Sequence, residues 1–197
     1  MSPKVGMEPI RRKQVIEAAK ACMLSKGFDH FSIKDVAEKA QLSTGVIYHY
    51  FKNKQDLYVH VLKDSFGETE LMVRKAVTKE TSYRDKFSAY LEVVAAVPED
   101  NPDFYIILLN YLAQSPYNDD VKQIISKFLI NLQVFIEDIL QHGVNEGRLT
   151  PLEQKTISQM ITSQAMGLAF QGMLLPQDER SSLLKDEFIR IFKQYVD

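Results

Sequence analysis

Residues 32–57 read Ser32-Ile33-Lys34-Asp35-Val36-Ala37-Glu38-Lys39-Ala40-Gln41-Leu42-Ser43-Thr44-Gly45-Val46-Ile47-Tyr48-His49-Tyr50-Phe51-Lys52-Asn53-Lys54-Gln55-Asp56-Leu57, and they decide the fold. Ser32 with Asp35 is the signature of a capped helix start: the hydroxyl serves an orphan amide and the acid three residues on reaches back. Val36, Ala37 and Ala40 give that helix a small apolar face, and it is expected to end near Ala40. Ser43 caps a second helix ending near Tyr50, with Leu42 plugging the turn between the two. Small residues allow the close crossing that a helix-turn-helix needs. The second helix is too short to stand alone and must be held by packing through Val46 and Ile47. Its outward side carries Thr44, Gly45, Tyr48, His49 and Tyr50, with Lys52 and Lys54 just beyond. Tyr48, Tyr50 and Phe51 cannot share one helix face, so at least one is outward. Hydroxyl, imidazole and ammonium groups suit hydrogen bonds to phosphates and base edges. Gly45 leaves room for close backbone approach. Asn53 opens a further helix whose first amides, beside the Lys54 charge, suit a phosphate. With Ser32 and Ser43 these residues are the candidate contacts to double-stranded DNA.

Outward from this element the chain reads as all-α. Its seven prolines include none between positions 10 and 97. No alternating apolar and polar run is bounded by hairpin turn residues, whereas helical spacing recurs, as in Val121, Ile124, Phe128, Leu132, Phe135 and Ile139. Punctuation predicts about nine helices. The first runs from Pro9 to Gly27, the fourth from Asn53 to Lys79, and the fifth from Tyr83 to Val97. The sixth runs from Pro102 to Gln114 and the seventh from about Asp119 to Gly147. Thr150-Pro151-Leu152-Glu153 opens the eighth, which reaches about Gly172, and the ninth covers Asp178 to Tyr195. The expected architecture is a three-helix helix-turn-helix head, residues 1–52, followed by an α-helical ligand-binding and dimerisation bundle, residues 53–197.

The 197 residues are 45% hydrophobic and 25% charged, which excludes a disordered chain. A single Cys excludes a disulfide framework and a thiolate zinc cluster. Neither a signal peptide nor a membrane span is expected: the longest nearly continuous apolar run is Phe104 to Ala113. The net charge of −2 divides unevenly. Residues 1–60 hold ten basic and six acidic residues, a net of +4, and the rest hold fourteen and twenty, a net of −6. A basic head beside an acidic body suits docking of the head alone on a polyanion.

The residues Val15-Ile16-Glu17-Ala18-Ala19, Gly27-Phe28, Ser32-Ile33, Val36-Ala37 and Ser43 through Leu57 resemble the N-terminal domain of TetR-family transcriptional repressors. The likeness spans about residues 10–60, and Gln41 departs from it where a Gly is usual in the turn. The resemblance implies a cytoplasmic bacterial homodimer on a palindromic operator. Positions matching Thr44, Gly45, Tyr48, His49 and Lys54 would touch DNA, while Phe51 and Leu57 would pack the head. The stretch Pro3 to Ala18 is also similar to the choline-responsive BetI-type branch of that family.

In the family the central helices enclose a small-molecule cavity and the last two helices pair across a dimer. Candidate pocket residues are Phe66, Tyr90, Phe104, Ile107, Tyr111, Phe135 and Phe170, an aromatic and apolar set with a few hydroxyls. The expected effector is apolar or cationic, since such rings can hold a quaternary ammonium by cation–π attraction. Candidate dimer-interface residues are Ile157, Ile161, Gln164 and Leu168 on the eighth helix and Leu184, Phe188 and Ile191 on the ninth. An uncovered stripe of this kind would be a large apolar patch on a monomer, which a two-fold interface would cover.

Catalysis has no constellation to rest on. His30, His49, His60 and His142 are scattered, without a zinc-protease or triad setting. Glu137-Asp138 and Asp119-Asp120 are adjacent pairs rather than helical metal spacings. The expected function is a ligand-responsive repressor, with an activator on the same scaffold as the alternative, no cofactor and no metal.

Overall fold

The computed structural model describes residues 8–28, 30–174 and 179–196, with the backbone alone for 179–182. Among these residues every regular element is helical. The α-helices are α1 (Glu8–Lys26), α2 (Ile33–Ala40), α3 (Thr44–Tyr50), α4 (Lys54–Val77), α5 (Tyr83–Asp100), α6 (Pro102–Gln114), α7 (Asp119–Asn145), α8 (Pro151–Leu174) and α9 (Glu179–Lys193). A 3-10 turn at Ser115–Tyr117 follows α6 and has no counterpart in the sequence expectation. Residues 1–7, which carry part of the BetI-type resemblance, and the expected start of the last helix at Asp178 lie outside the described residues.

Local chemistry sets most of the ends. Ser32 and Asp35 form a reciprocal capping box at α2, and Ser82 caps α5 by accepting from the Asp85 amide. Thr150 and Glu153 satisfy one another at the start of α8, the Thr150 amide donating to Glu153 Oε2 at 2.7 Å. Helix α1 stops at Gly27, whose φ of +84° is open to a residue without a Cβ. Helix α5 outruns its expected end at Val97 and carries Pro98 inside it. In the last turn a proline removes one ladder bond, and the Asn101 amide still closes the helix on the Val97 carbonyl at 2.8 Å.

The chain divides into two compact units. One comprises the chain up to Gly67 with Ile106–Lys122, and the other comprises Glu68–Tyr105 with the chain from Gln123 onward. The divisions fall within α4, α6 and α7, so each of these helices contributes residues to both.

The first unit is built on α1–α3. Val15, Ala19, Val36, Ile47, Leu57 and Val61 are fully buried in it. An aromatic group of Phe28, Tyr58 and Tyr111 fills the space beside them: Phe28 packs edge-on against Tyr111 at 4.8 Å and against Tyr58 at 5.6 Å. The Tyr58 hydroxyl donates to the Phe28 carbonyl at 2.7 Å, and the Tyr111 hydroxyl donates to the Tyr58 carbonyl. The second unit has its own core, in which Phe87, Tyr90 and Leu91 of α5 meet Ile136 and Leu140 of α7, Ile157 and Ile161 of α8, and Phe188 and Phe192 of α9.

Candidate functional site

The helix-turn-helix occurs where the sequence places it. Helix α2 ends on Gln41, which adopts a left-handed conformation at φ 54° and donates its amide to the Ala37 and Glu38 carbonyls. A residue with a Cβ is strained there, by about 1 kcal/mol. The Leu42 amide returns to Ala37 at 2.9 Å, which closes the turn and sets the direction of α3. Ser43 Oγ accepts from the Val46 amide. Ile47 is the anchor of α3 and has no exposed surface, whereas Tyr48 is 55% exposed. Gly45 and His49 are also exposed, and Thr44 and Tyr50 are half-buried. The His49 and Tyr50 rings meet edge to face at 5.0 Å. Thus α3 holds itself by one aliphatic side chain and turns a phenol, an imidazole and bare backbone outward.

Other candidates have partners inside the unit. Ser32 Oγ donates to Asp35 Oδ2 at 2.7 Å, so its hydroxyl serves the cap. The Lys26 ammonium, the Ser32 hydroxyl and the Ser32 amide together hold the Asp35 carboxyl well below the usual carboxylate range. Lys54 Nζ donates to the Phe31 carbonyl at 2.5 Å and lies over the Phe31 and Tyr58 rings at 4.4 and 5.2 Å. A phosphate contact by Lys54 would therefore compete with these partners. The start of α4 is also occupied: Asn53 Oδ1 accepts the Asp56 amide, and Asp56 Oδ2 accepts the Lys52 amide at 2.9 Å. The Asp56 carboxylate and the Asn53 amide oxygen thus serve these amides, and the Lys52 side chain next to them is exposed. On α1, Arg12 stacks over Phe51 at 5.2 Å and Lys13 pairs with Asp64 at 2.8 Å.

The second unit contains a cavity with about 30 Å³ of interior space. Its polar wall is Thr69, Tyr90, Tyr105 and Thr162; its apolar wall includes Val94, Val97, Phe104, Phe128, Leu132 and Met166. Of the pocket residues expected from sequence, Tyr90 and Phe104 line it. Phe135 packs on the same core and stacks against Tyr90 at 6.0 Å without lining it. Ile107 and Tyr111 fall on the part of α6 that belongs to the first unit, as does Phe66 on α4. Phe170 is half-buried near the end of α8 and is not among the residues that line the cavity. Sequence reasoning missed Tyr105, Thr69, Phe128 and Thr162. A nearly all-apolar α6 gives no phase from which to choose its inward side, so Tyr105 carried no signal.

Thr162 donates its hydroxyl to the Ser158 carbonyl at 2.9 Å. Neither Tyr90 nor Tyr105 has a hydrogen-bond partner among the described residues, although they are only 1% and 3% exposed. Burial pushes both phenols up, Tyr105 to about 12, so both are neutral donors at physiological pH.

The faces expected to pair two chains are partly used within this one. Ile157, Ile161 and Phe188 are buried in the second unit's core, and Leu168 packs against it. Ile157, Ile161 and Phe188 have almost no area left to present to a second chain in this conformation, whereas Leu168 is half-buried. Gln164 and Leu184 are exposed and Ile191 is half-buried; Met160 and Leu183, exposed by 47% and 65%, join them. No helix among the described residues is long and apolar enough to cross a membrane.

Residues 15–61 match the model of the family described as bacterial regulatory proteins, tetR family. The chain is 25% identical over 190 residues to the transcriptional regulator YfiR of Bacillus subtilis, covering 93% of this chain and 90% of that one. It is 49% identical over 55 residues to the transcriptional regulator BetI of Yersinia pestis, covering 28% of each. Among solved structures, a TetR transcription regulator from Haloarcula marismortui superposes with a TM-score of 0.81 at 16% identity, over 95% of this chain and 96% of that one. The regulator FadR of Bacillus subtilis, solved with stearoyl-CoA, superposes at 0.75 with 19% identity, over 94% and 99%. The head matches the tetR-family model in sequence and the chain matches solved TetR-type regulators in fold: the protein carries a tetR-family helix-turn-helix domain at residues 15–61.

Proposed function

We propose that the protein is a ligand-responsive repressor that binds a palindromic operator as a homodimer and leaves it when a small molecule occupies the cavity of the second unit. The observation that carries this reading is the asymmetry of α3, where Ile47 is fully buried and the next residue, Tyr48, is 55% exposed. Thr44, Gly45, Tyr48, His49, Tyr50 and Lys52 contact the operator, with Ser43 fixing the helix that presents them. Two heads related by a two-fold axis read half-sites about one helical turn apart, ~34 Å. The dimer forms through the exposed parts of α8 and α9, Gln164, Leu184 and Ile191 with Met160 and Leu183. Such a protein works in the bacterial cytoplasm, where its DNA is.

Coupling is supported by α6. Phe104 and Tyr105 line the cavity, and Tyr111 is set into the aromatic group of the first unit. A single helix carries all three, and six residues span about 9 Å of it. A ligand that favours one setting of α6 also biases the head, and operator DNA weakens ligand binding by the same factor. The likeness to BetI bears on the head, because it covers 55 residues. It does not bear on the effector.

The test is a gel shift with fragments flanking the chain's own gene, at low salt, followed by Tyr48→Ala and Lys52→Ala. Binding to a palindrome, lost in Tyr48→Ala and weakened in Lys52→Ala with the melt unchanged, is the expected result. Failure to bind any fragment sinks the reading. Transcription in vitro that rises instead of falling would make the protein an activator.

A further inference from the structure

We propose that the cavity of the second unit takes a neutral, mostly apolar molecule bearing a carbonyl-type acceptor, a ketone, ester or thioester, which Tyr90 and Tyr105 bind with their two hydroxyls. This deepens the ligand-responsive reading and rests on it for its regulatory meaning, but not for its chemistry.

Two donors from two helices, Tyr90 of α5 and Tyr105 of α6, line one small cavity and have no hydrogen-bond partner among the described residues. A buried hydroxyl without a partner costs free energy, and proteins rarely keep one. Two at one site can be served together by one acceptor inside the cavity. A carbonyl oxygen has two lone pairs and can accept from both at once. The rest of the wall is aliphatic and aromatic, which suits the apolar remainder of such a molecule once a wall shifts to admit it, since the interior of about 30 Å³ by itself holds no more than a water or two.

Charge decides against the ionic alternatives. Among the described residues no Asp, Glu, Lys or Arg lines the cavity. A carboxylate would leave water without a cation to meet it, and a buried ion without a counter-charge is costly to desolvate. A quaternary ammonium fares little better. The Tyr90, Phe104, Tyr105 and Phe128 rings could offer cation–π attraction, and among the described residues no carboxylate lines the cavity to complete the neutralisation. Choline-like and fatty-acid-like ions should therefore bind this cavity more weakly than a neutral acceptor.

The experiment uses the full chain and three probes of similar apolar length: 2-octanone, octanoate and hexyltrimethylammonium. Binding is followed by saturation-transfer NMR and by calorimetry, with Tyr90→Phe and Tyr105→Phe beside the parent. We expect 2-octanone to bind at least tenfold more tightly than either ion. Each phenylalanine variant weakens the ketone about three- to tenfold. The same variants melt at or above the parent temperature, because each removes a hydroxyl with no hydrogen-bond partner among the described residues. A variant that melts lower has lost a partner the hydroxyl did have, and this overturns the inference. So does an ion that binds as well as the ketone, a ketone that does not bind, or ketone affinity unchanged in both variants. If the ketone binds as expected and operator affinity does not move, the ligand class stands and the regulatory reading fails.

Discussion

Gly45→Ala separates what α3 needs for folding from what it needs for DNA. A Cβ built at Gly45 meets Ser43 Oγ at 3.7 Å, an ordinary van der Waals contact, and nothing nearer. The backbone there is not in the left-handed region, so alanine is unstrained. Replacing a glycine inside a helix by alanine gains up to about 1 kcal/mol, and the second position of a seven-residue helix should realise roughly half to all of it. For a chain of this size that is a rise of about 1–4 °C in melting temperature. On DNA the sign reverses. The added methyl stands on the exposed face between the backbone and its partner, and overpacking of that kind costs roughly 1–3 kcal/mol. That is about a five- to 150-fold loss of affinity. A thermal melt and fluorescence anisotropy on the operator fragment read the two effects separately. A melt that falls would refute the packing argument, and an affinity within twofold of the parent would refute the close approach of α3 to DNA.

Gln41→Gly relieves a left-handed residue and should stabilise the head by about 1 kcal/mol, read in urea as a higher midpoint at constant slope. An unchanged midpoint would mean that the unfolded-state entropy of glycine cancels the gain. Tyr111→Phe removes one hydrogen bond to the Tyr58 carbonyl while leaving the ring against Phe28, a loss of about 1 kcal/mol, whereas Tyr111→Ala should cost about 3–5 kcal/mol. Equal losses in the two variants would contradict the packing role of the ring. Acid should weaken the fold through Asp35, held low by Lys26 and Ser32, and Glu153, held low by the Thr150 amide and hydroxyl. Because their native pKa values lie below the unfolded ones, the stabilisation is present above the ordinary carboxylate range. It is lost as pH falls from about 4.5 through the lowered native values. The double variant Asp35→Asn, Glu153→Gln should flatten the decline of melting temperature between about pH 5 and 3, and an unaltered slope would reassign it to other carboxylates.

What the sequence reveals of this protein is what local chemistry controls. Ser32 with Asp35, and Thr150 with Glu153, locate helix starts within a residue because the cap is made by neighbours in the chain. The turn at Gln41 is legible for the same reason. Facing is another matter. Ile157, Ile161 and Phe188 read equally well as interface or core until the positions of α5 and α7 are known, and the structure places them in the core. On α6, Phe104 and Tyr105 line a cavity while Tyr111 joins the head, a division that no periodicity within thirteen apolar residues records. Lys54 looks like a phosphate clamp because its stacking on Phe31 and its bond to the Phe31 carbonyl join residues 23 positions apart.

Pro98 has a mechanical consequence for the cavity. With no amide hydrogen at 98, the Val94 carbonyl lacks its helical donor, and α5 misses one rung between two valines, Val94 and Val97, that form part of the cavity wall. An interior of about 30 Å³ admits a water or two and not an eight-carbon guest. Room has to be made by displacing a wall, and a helix yields most easily where its ladder is already open. The missing rung makes that end of α5 the expected place for the cavity wall to yield.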